Sequence, residues 1–207
     1  MLTEEKINQY NTNGWTLSKL TLFLLQKTIL NKPENKIRII EFGSGLSTKF
    51  LVDLNKDLAE KSLQITSFDN HESYCFDNSK QEVNLCMRNL VECTDENYEK
   101  MLQNKKYSSD LMLPKKSPLT TRQRNNFYNI QPGDISGVYD LMILDGPNGN
   151  GRNIAFLHML GHLKPGSHVF IDDHNHYDFK ETFLKLFKAE ELFIDHKENI
   201  VLYRLIT

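Results

Sequence analysis

Cysteine is scarce in this chain: Cys75, Cys86 and Cys93 are the whole set, and no two share C-x-x-C spacing. A disulfide framework calls for an even number and a structural zinc site for paired thiols, so neither is expected and a reducing compartment suits the chain. An excess of one charge is also missing. Lys and Arg number 25 against 27 Asp and Glu, a net charge of −2, which leaves no overall positive field to draw the protein to nucleic acid or an anionic membrane. The greasiest stretch, Leu20 to Leu30, is broken by Thr21, Gln26, Lys27 and Thr28 and is too short and polar to span a bilayer. The opening MLTEEKINQY is acidic where a secretory leader is basic and then apolar, so a cytoplasmic location is expected. With 6 Pro, 10 Gly and no internal repeat, collagen-like and solenoid architectures are excluded.

What the chain does contain is core-forming material. Apolar residues make up 39%, with 12 Phe and 8 Tyr, at a mean hydropathy of −0.50. A chain of 207 residues can bury roughly 70% of its unfolded surface, enough for one domain. We expect an N-terminal helical segment over 1–35 and a main domain over 36–207 that is interrupted by an inserted loop, 104–136.

Residues 17–30 place apolar groups at helical spacing ahead of Pro33, which predicts an amphipathic helix. Strands are expected at 36–42 (KIRIIEF), 63–68, 83–91, 139–144 (YDLMIL) and 167–171, with helices after the glycine turn at 43–45 and over 97–103, 153–163 and 179–187. A closing hairpin pairs 191–196 with 200–206 across Lys197-Glu198-Asn199. The insert carries Lys105, Lys106, Lys115, Lys116, Arg122 and Arg124 against Asp110 and Asp134. It reads either as a lid, with Tyr107, Phe127 and Tyr128 closing over an anionic sugar, or as a plain surface loop. Alternating strands and helices imply an α/β fold, a mainly parallel sheet covered on both faces, with ligands beyond the carboxyl ends of the strands.

Those strand ends carry the chemistry. Gly43 and Gly45 leave main-chain room beside a helix N-terminus, which Ser47 or Thr48 can cap; the plain alternative is a tight turn. The dinucleotide fingerprint needs a third glycine where Thr48 stands, and Glu41 would repel a pyrophosphate, so a nicotinamide cofactor is disfavoured. Glu41 suits a cationic amino group, and Asp69, at the end of the second strand, suits the two hydroxyls of a ribose. An amino acid joined to a nucleoside is S-adenosylmethionine.

Through EFGSGLST (41–48), TSFDNHESY (66–74), YDLMILDGPNG (139–149) and LKPGSHVFIDD (163–173), the sequence resembles the class I S-adenosylmethionine-dependent methyltransferases over residues 36–206. The resemblance implies a Rossmann-like three-layer sandwich with a seven-stranded sheet of order 3-2-1-4-5-7-6 and one antiparallel strand from the closing hairpin. It implies that Glu41, Gly43, Ser44, Gly45 and Ser47 hold the methionine end, Asp69 and Asn70 the ribose, and residues near Glu92 to Thr94 the adenine, with Asp145 also facing the cofactor.

Within that class the motifs look most like small-molecule and sugar O-methyltransferases, including the plant glucuronoxylan type. They are also similar to the catechol O-methyltransferase arrangement, in which acids ending strands four and five bind a cation. Asp145, Asp172 and Asp173 occupy those places and are hard ligands suited to Mg²⁺ or Mn²⁺. The alternative is that Asp145 and Asp172 cap loops while Asp173 faces water. The amide and the lysine base of the catechol type are replaced by Asp173 and Asn148, which leaves His174 or Asp145 as the base. Arg152 either orients an anionic substrate or caps its helix. Trp15, Cys86 and Cys93 are expected to pack, and His176 to face water.

The leading expectation is therefore O-methylation of a hydroxyl on a small or sugar-like acceptor. Two rivals stand beside it. Base N-methylation is weakened because Asp-Gly-Pro-Asn lacks the paired prolines and aromatic of those enzymes. A non-catalytic cofactor-binding or partner-binding domain of the same fold is the other. A nucleic-acid partner is not expected, and the sequence leaves a homo-oligomer open.

Overall fold

The computed structural model of the chain describes residues 2–12, 16–73, 75–114 and 125–207. Trp15 and four cations of the insert, Lys115, Lys116, Arg122 and Arg124, lie outside the described residues.

The chain opens with a short helix, α1 (Glu4–Asn8), capped by the Thr3 side chain, which sequence periodicity had no length to reveal. Helix α2 (Lys19–Leu30) starts two residues later than expected because Ser18 serves as its cap, accepting from Thr21 N at 3.2 Å. Leu22, Leu25 and Ile29 on α2 bury against Ile37 and Ile39 of β1 (Lys36–Phe42) and Phe50 of α3 (Leu46–Asp57). The chain continues through β2 (Ser62–Asp69) and β3 (Asn84–Met87). Later come β7 (Tyr139–Leu144), α5 (Asn153–Met159), β8 (Leu163–Asp172), α6 (Phe179–Leu186), β9 (Ala189–Asp195) and β10 (Ile200–Leu205).

These strands form one seven-stranded sheet ordered β3-β2-β1-β7-β8-β10-β9, which is the expected order once the main-sheet strands are counted alone. It is parallel except at β10, which runs antiparallel to both β8 and β9. Side chains on the pleat alternate between two cores. Ile39, Leu141, Ile143 and Phe170 face α2 and α3; Phe42, Met142, Leu144 and Ile171 face α4 (Asp95–Asn104), α5 and α6. The result is a Rossmann-like, three-layer α/β fold. Strand order reverses between β1 and β7, the place where such sheets bind ligands.

Three expectations need correction. The strand expected over Val83–Val91 is two strands: β3 ends at Met87, where Arg88 N turns back to Asp69 O at 2.8 Å. The chain then enters a separate antiparallel sheet, β5-β4-β6, of β4 (Leu90–Glu92), β5 (Leu113–Pro114) and β6 (Asn126–Tyr128). The insert is consequently not a plain surface loop over these residues, since β6 buries Phe127 and Tyr128 to 0% and 1% exposure. Finally, α5 stops at Met159, and Lys164-Pro165-Gly166 lie within β8 rather than ahead of it. The β7–β8 register shift between Tyr139 and Leu141 gives the proline the irregular place a strand requires of it.

Candidate functional site

The turn after β1 is built around Gly43. Its φ is +102°, and a Cβ there would lie 2.9 Å from Gly146 N and 3.0 Å from the Asp145 carbonyl carbon, so both backbone angle and space demand glycine. Gly43 N donates to Phe68 O at 2.9 Å. Ser44 N donates to Asp69 Oδ2 at 2.9 Å, while Asn70 N and His71 N donate to Asp69 Oδ1 at 2.6 and 2.8 Å. Asp69 thus clips the end of β2 to the turn after β1. Burial pushes its carboxyl up, and the three backbone donors pull it down.

Glu41 lies beneath that turn, fully buried. Its Oε2 accepts from Ser67 Oγ at 2.7 Å and from the Thr48 hydroxyl through a short bond. Thr48 Oγ1 in turn accepts from Gly45 N at 3.0 Å. The helix N-terminus is therefore tied by Thr48 reaching back, not by Ser47, which is itself buried. Oε1 of Glu41 has no hydrogen-bond partner among the described residues. Burial raises the Glu41 carboxyl above its ordinary pKa, against the pull of the three hydroxyls.

Across the cleft, pairing of Leu144 with Ile171 sets Asp145 and Asp172 side by side at the ends of β7 and β8. Their carboxyls hydrogen-bond to one another. Burial and mutual repulsion hold Asp145 well above the carboxylate range and push Asp172, through burial and then Asp173, to about 6. Two acids so close cannot both ionise freely, and the pair keeps a proton.

Asp173 does not join them. It accepts from Arg152 Nη1 at 3.2 Å and pairs with His176 Nδ1 at 3.2 Å. Among the described residues no group of three or more His, Cys, Asp or Glu is arranged to hold a metal ion, so the expected Asp145–Asp172–Asp173 triad does not form. Arg152 is 6% exposed and donates Nε to Pro147 O at 2.8 Å and Nη1 to Asp172 O at 3.4 Å. It clamps the loops after β7 and β8 instead of capping its helix with a side-chain bond.

His174 turns the other way. Its ring lies 5.4 Å from His196, its backbone N donates to Asn199 O at 3.2 Å, and Lys180 and Glu191 are the charges that act on it besides His196. Burial lowers its pKa. Its ring and backbone contacts therefore belong to the closing hairpin. Glu92 pairs with β5 and β6, Cys93 N donates to Asn125 O at 3.1 Å, and Thr94 caps α4. That segment supports β6.

Gly146, read in the sequence only as part of a strand-end motif, and Tyr128, read only as part of the insert, also meet at the cleft. A Cβ on Gly146 would come within 2.6 Å of Tyr128 Oη and 2.9 Å of Gly43 Cα, so the turn after β1, the corner after β7 and the phenol from β6 meet at one point. The Tyr128 ring is stacked on Phe42, with centroids 6.4 Å apart and planes at 17°. No local pattern in Asn126-Phe127-Tyr128 could have placed it there, although the glycine of Asp145-Gly146-Pro147 was a clue to close backbone packing. A polar groove of about 730 Å³ lies elsewhere, lined by Arg38, Gln64, Thr66, Asn84 and Ser136, at the opposite halves of β1 and β2.

No protein family and no curated protein matches the sequence. Solved structures do share its fold. The O-methyltransferase from Bacillus cereus in complex with S-adenosylhomocysteine aligns at a TM-score of 0.53 and 14% identity, covering 99% of this chain and 90% of its own. TomG, the O-methyltransferase of Streptomyces achromogenes involved in tomaymycin synthesis, solved with S-adenosylmethionine, aligns at 0.53 and 12%, covering 99% and 89%. The mycinamycin-pathway methyltransferase MycE, in complex with Mg and S-adenosylhomocysteine, aligns at 0.54 and 11%, covering 98% of this chain and 54% of its own. At identities this low the likeness shows the fold alone.

Proposed function

We propose that this protein is an S-adenosylmethionine-dependent methyltransferase that O-methylates a hydroxyl on a small or sugar-like acceptor. The observation that carries the reading is the Ser44–Asp69 bond at 2.9 Å, which couples the glycine turn and the acid ending β2 into one ligand-facing edge at the strand-order reversal. The residues suit the cofactor. An ionised carboxylate accepts at about four sites, and the backbone occupies three of them on Asp69, leaving room for a ribose hydroxyl. The unpartnered, buried Oε1 of Glu41 is matched to a cationic group. The solved neighbours bound to S-adenosylmethionine or S-adenosylhomocysteine support the same reading.

Bound there, S-adenosylmethionine supplies an electrophilic methyl group. The chain's part is orientation and proton handling: the two strand edges fix the acceptor oxygen in line, and the Asp145–Asp172 pair, in which Asp172 titrates at about 6, accepts the hydroxyl proton as the oxygen attacks. The acceptor's identity rests with residues beyond this edge. Titration calorimetry with S-adenosylhomocysteine tests the reading: the wild type is expected to bind, and Asp69→Ala to lose at least about tenfold in affinity, the loss of a charged hydrogen bond. A wild type that gives no heat and no thermal shift, or an Asp69→Ala variant that binds equally well, removes the assignment.

A further inference from the structure

Arg152 is a buried cation set among the acids that close β7 and β8. It is 6% exposed, and acceptors on both loops fix it: Nε donates to Pro147 O at 2.8 Å, and Nη1 to Asp173 Oδ2 at 3.2 Å and to Asp172 O at 3.4 Å. Its guanidinium carbon also lies 5.8 Å from the centre of the Phe179 ring. A charge is kept in the interior where it is paired, and here the partners are the strand-end acids: Arg152 forms an ion pair with Asp173 and acts through space on Asp145 and Asp172.

The donor set around it does not fit a dication. A hard divalent ion binds deprotonated oxygens from several ligands at once. Asp145 and Asp172 hydrogen-bond to one another, which takes a proton between them. Asp173 gives one oxygen to Arg152 and the other to His176, at 3.2 Å each, with its backbone at a φ of +58° that turns the chain out of the β8 line directly after Asp172. We propose that Arg152 is a positioning residue of this cluster, its guanidinium taking the charge-balancing place between the β7 and β8 acids that a divalent cation takes in the catechol-type arrangement, so that the cluster takes up no such ion. A guanidinium held by fixed acceptors repels a dication arriving beside it, and in a buried site that repulsion is little screened. The proposal concerns the cation alone and does not rest on the methyltransferase reading.

The test is titration of the full chain with Mn²⁺, followed by loss of the free-ion electron paramagnetic resonance signal. Wild type is expected to show no uptake below about 1 mM, the weak end of carboxylate sites, that Asp172→Asn removes. Arg152→Met keeps an apolar stem and loses the charge. It is expected to bind Mn²⁺ at least about tenfold more tightly than wild type, the scale on which groups beside a metal act, and the added change Asp172→Asn is expected to abolish that gain. Uptake by wild type that Asp172→Asn removes overturns the proposal. So does an Arg152→Met protein that gains no binding, or one whose gain survives Asp172→Asn. Should Arg152→Met fail to fold, Arg152→Gln, which keeps an amide donor for Pro147 O, is judged on the same terms. Calorimetry of wild type with S-adenosylhomocysteine tests the methyltransferase reading separately, so the two failures are distinguishable.

Discussion

Asp145 and Asp172 end neighbouring parallel strands, and their carboxyls are hydrogen-bonded to each other. The relationship follows from register: β7 and β8 pair Leu144 with Ile171, and the next residue on each strand is an aspartate. Proximity makes the pair hold a proton that isolated acids would release, and that proton gives the site a pH-dependent energy.

For Asp172 the sign is definite. Its carboxyl titrates at about 6 in the fold against about 3.9 in an unfolded chain. The stabilisation is complete below the unfolded value and is lost as pH rises through 6. Asp172→Asn, always neutral, is expected to be more stable than wild type at pH 7.5 by about 2 kcal/mol, with the gain vanishing near pH 4. Thermal melts of both proteins across that range check this, and an equal difference at both ends would discard the shared-proton account. If the pair is also the base, turnover falls with it.

His158 carries the opposite sign. Its Nε2 is buried and without a hydrogen-bond partner among the described residues, its ring lies 3.9 Å from that of Tyr107, and burial lowers its pKa to about 4. The fold keeps it neutral while the unfolded chain protonates near 6.5, so stability is intact above pH 6.5 and declines as pH falls toward 4, by up to roughly 3 kcal/mol. His158→Phe preserves the ring contact and should flatten that acid limb. Urea midpoints at pH 7 and pH 4.5 measure it.

Gly151 holds β6 in place by having no side chain. A Cβ there would lie 1.8 Å from Asn126 O and 2.4 Å from Asn126 N, both rigid backbone atoms. Gly151→Ala is therefore expected to cost about 3 kcal/mol, the upper end for overpacking, and to displace Phe127 and Tyr128. A urea midpoint within error of wild type would contradict the packing described.

Thr48 serves two partners, accepting from Gly45 N and donating to Glu41. Thr48→Val strands both at once and should lower stability by about 2 kcal/mol as well as S-adenosylhomocysteine affinity. Thr48→Ser keeps the hydroxyl and should restore most of each. Chemical denaturation and calorimetry on the two variants check the pairing.

Much of this fold is legible in the residues. KIRIIEF and YDLMIL are short runs with apolar centres bounded by turn formers, as central strands of a covered sheet are, and alternating helices leave few ways to connect them. The Gly43 turn and Asp69 were legible for the same reason: each is a local device, a special backbone angle or a polar residue closing an apolar strand. The β5-β4-β6 sheet was not. Its strands are two or three residues long, below any hydrophobic period, and they pair across wide separations in sequence. The surroundings of His174 were not legible either: it follows two acids in sequence, whereas its ring lies beside His196 of the hairpin.

The sequence by itself determined the order of strands and helices and which polar groups close the central strands, because periodicity and turn chemistry act over a few residues. Only the tertiary structure decided what those groups face. Strand register joined Asp145 to Asp172 and not to Asp173, and packing of a distant tripeptide brought the Tyr128 phenol against Gly146. Both depend on contacts between residues far apart in the chain, which no local pattern encodes.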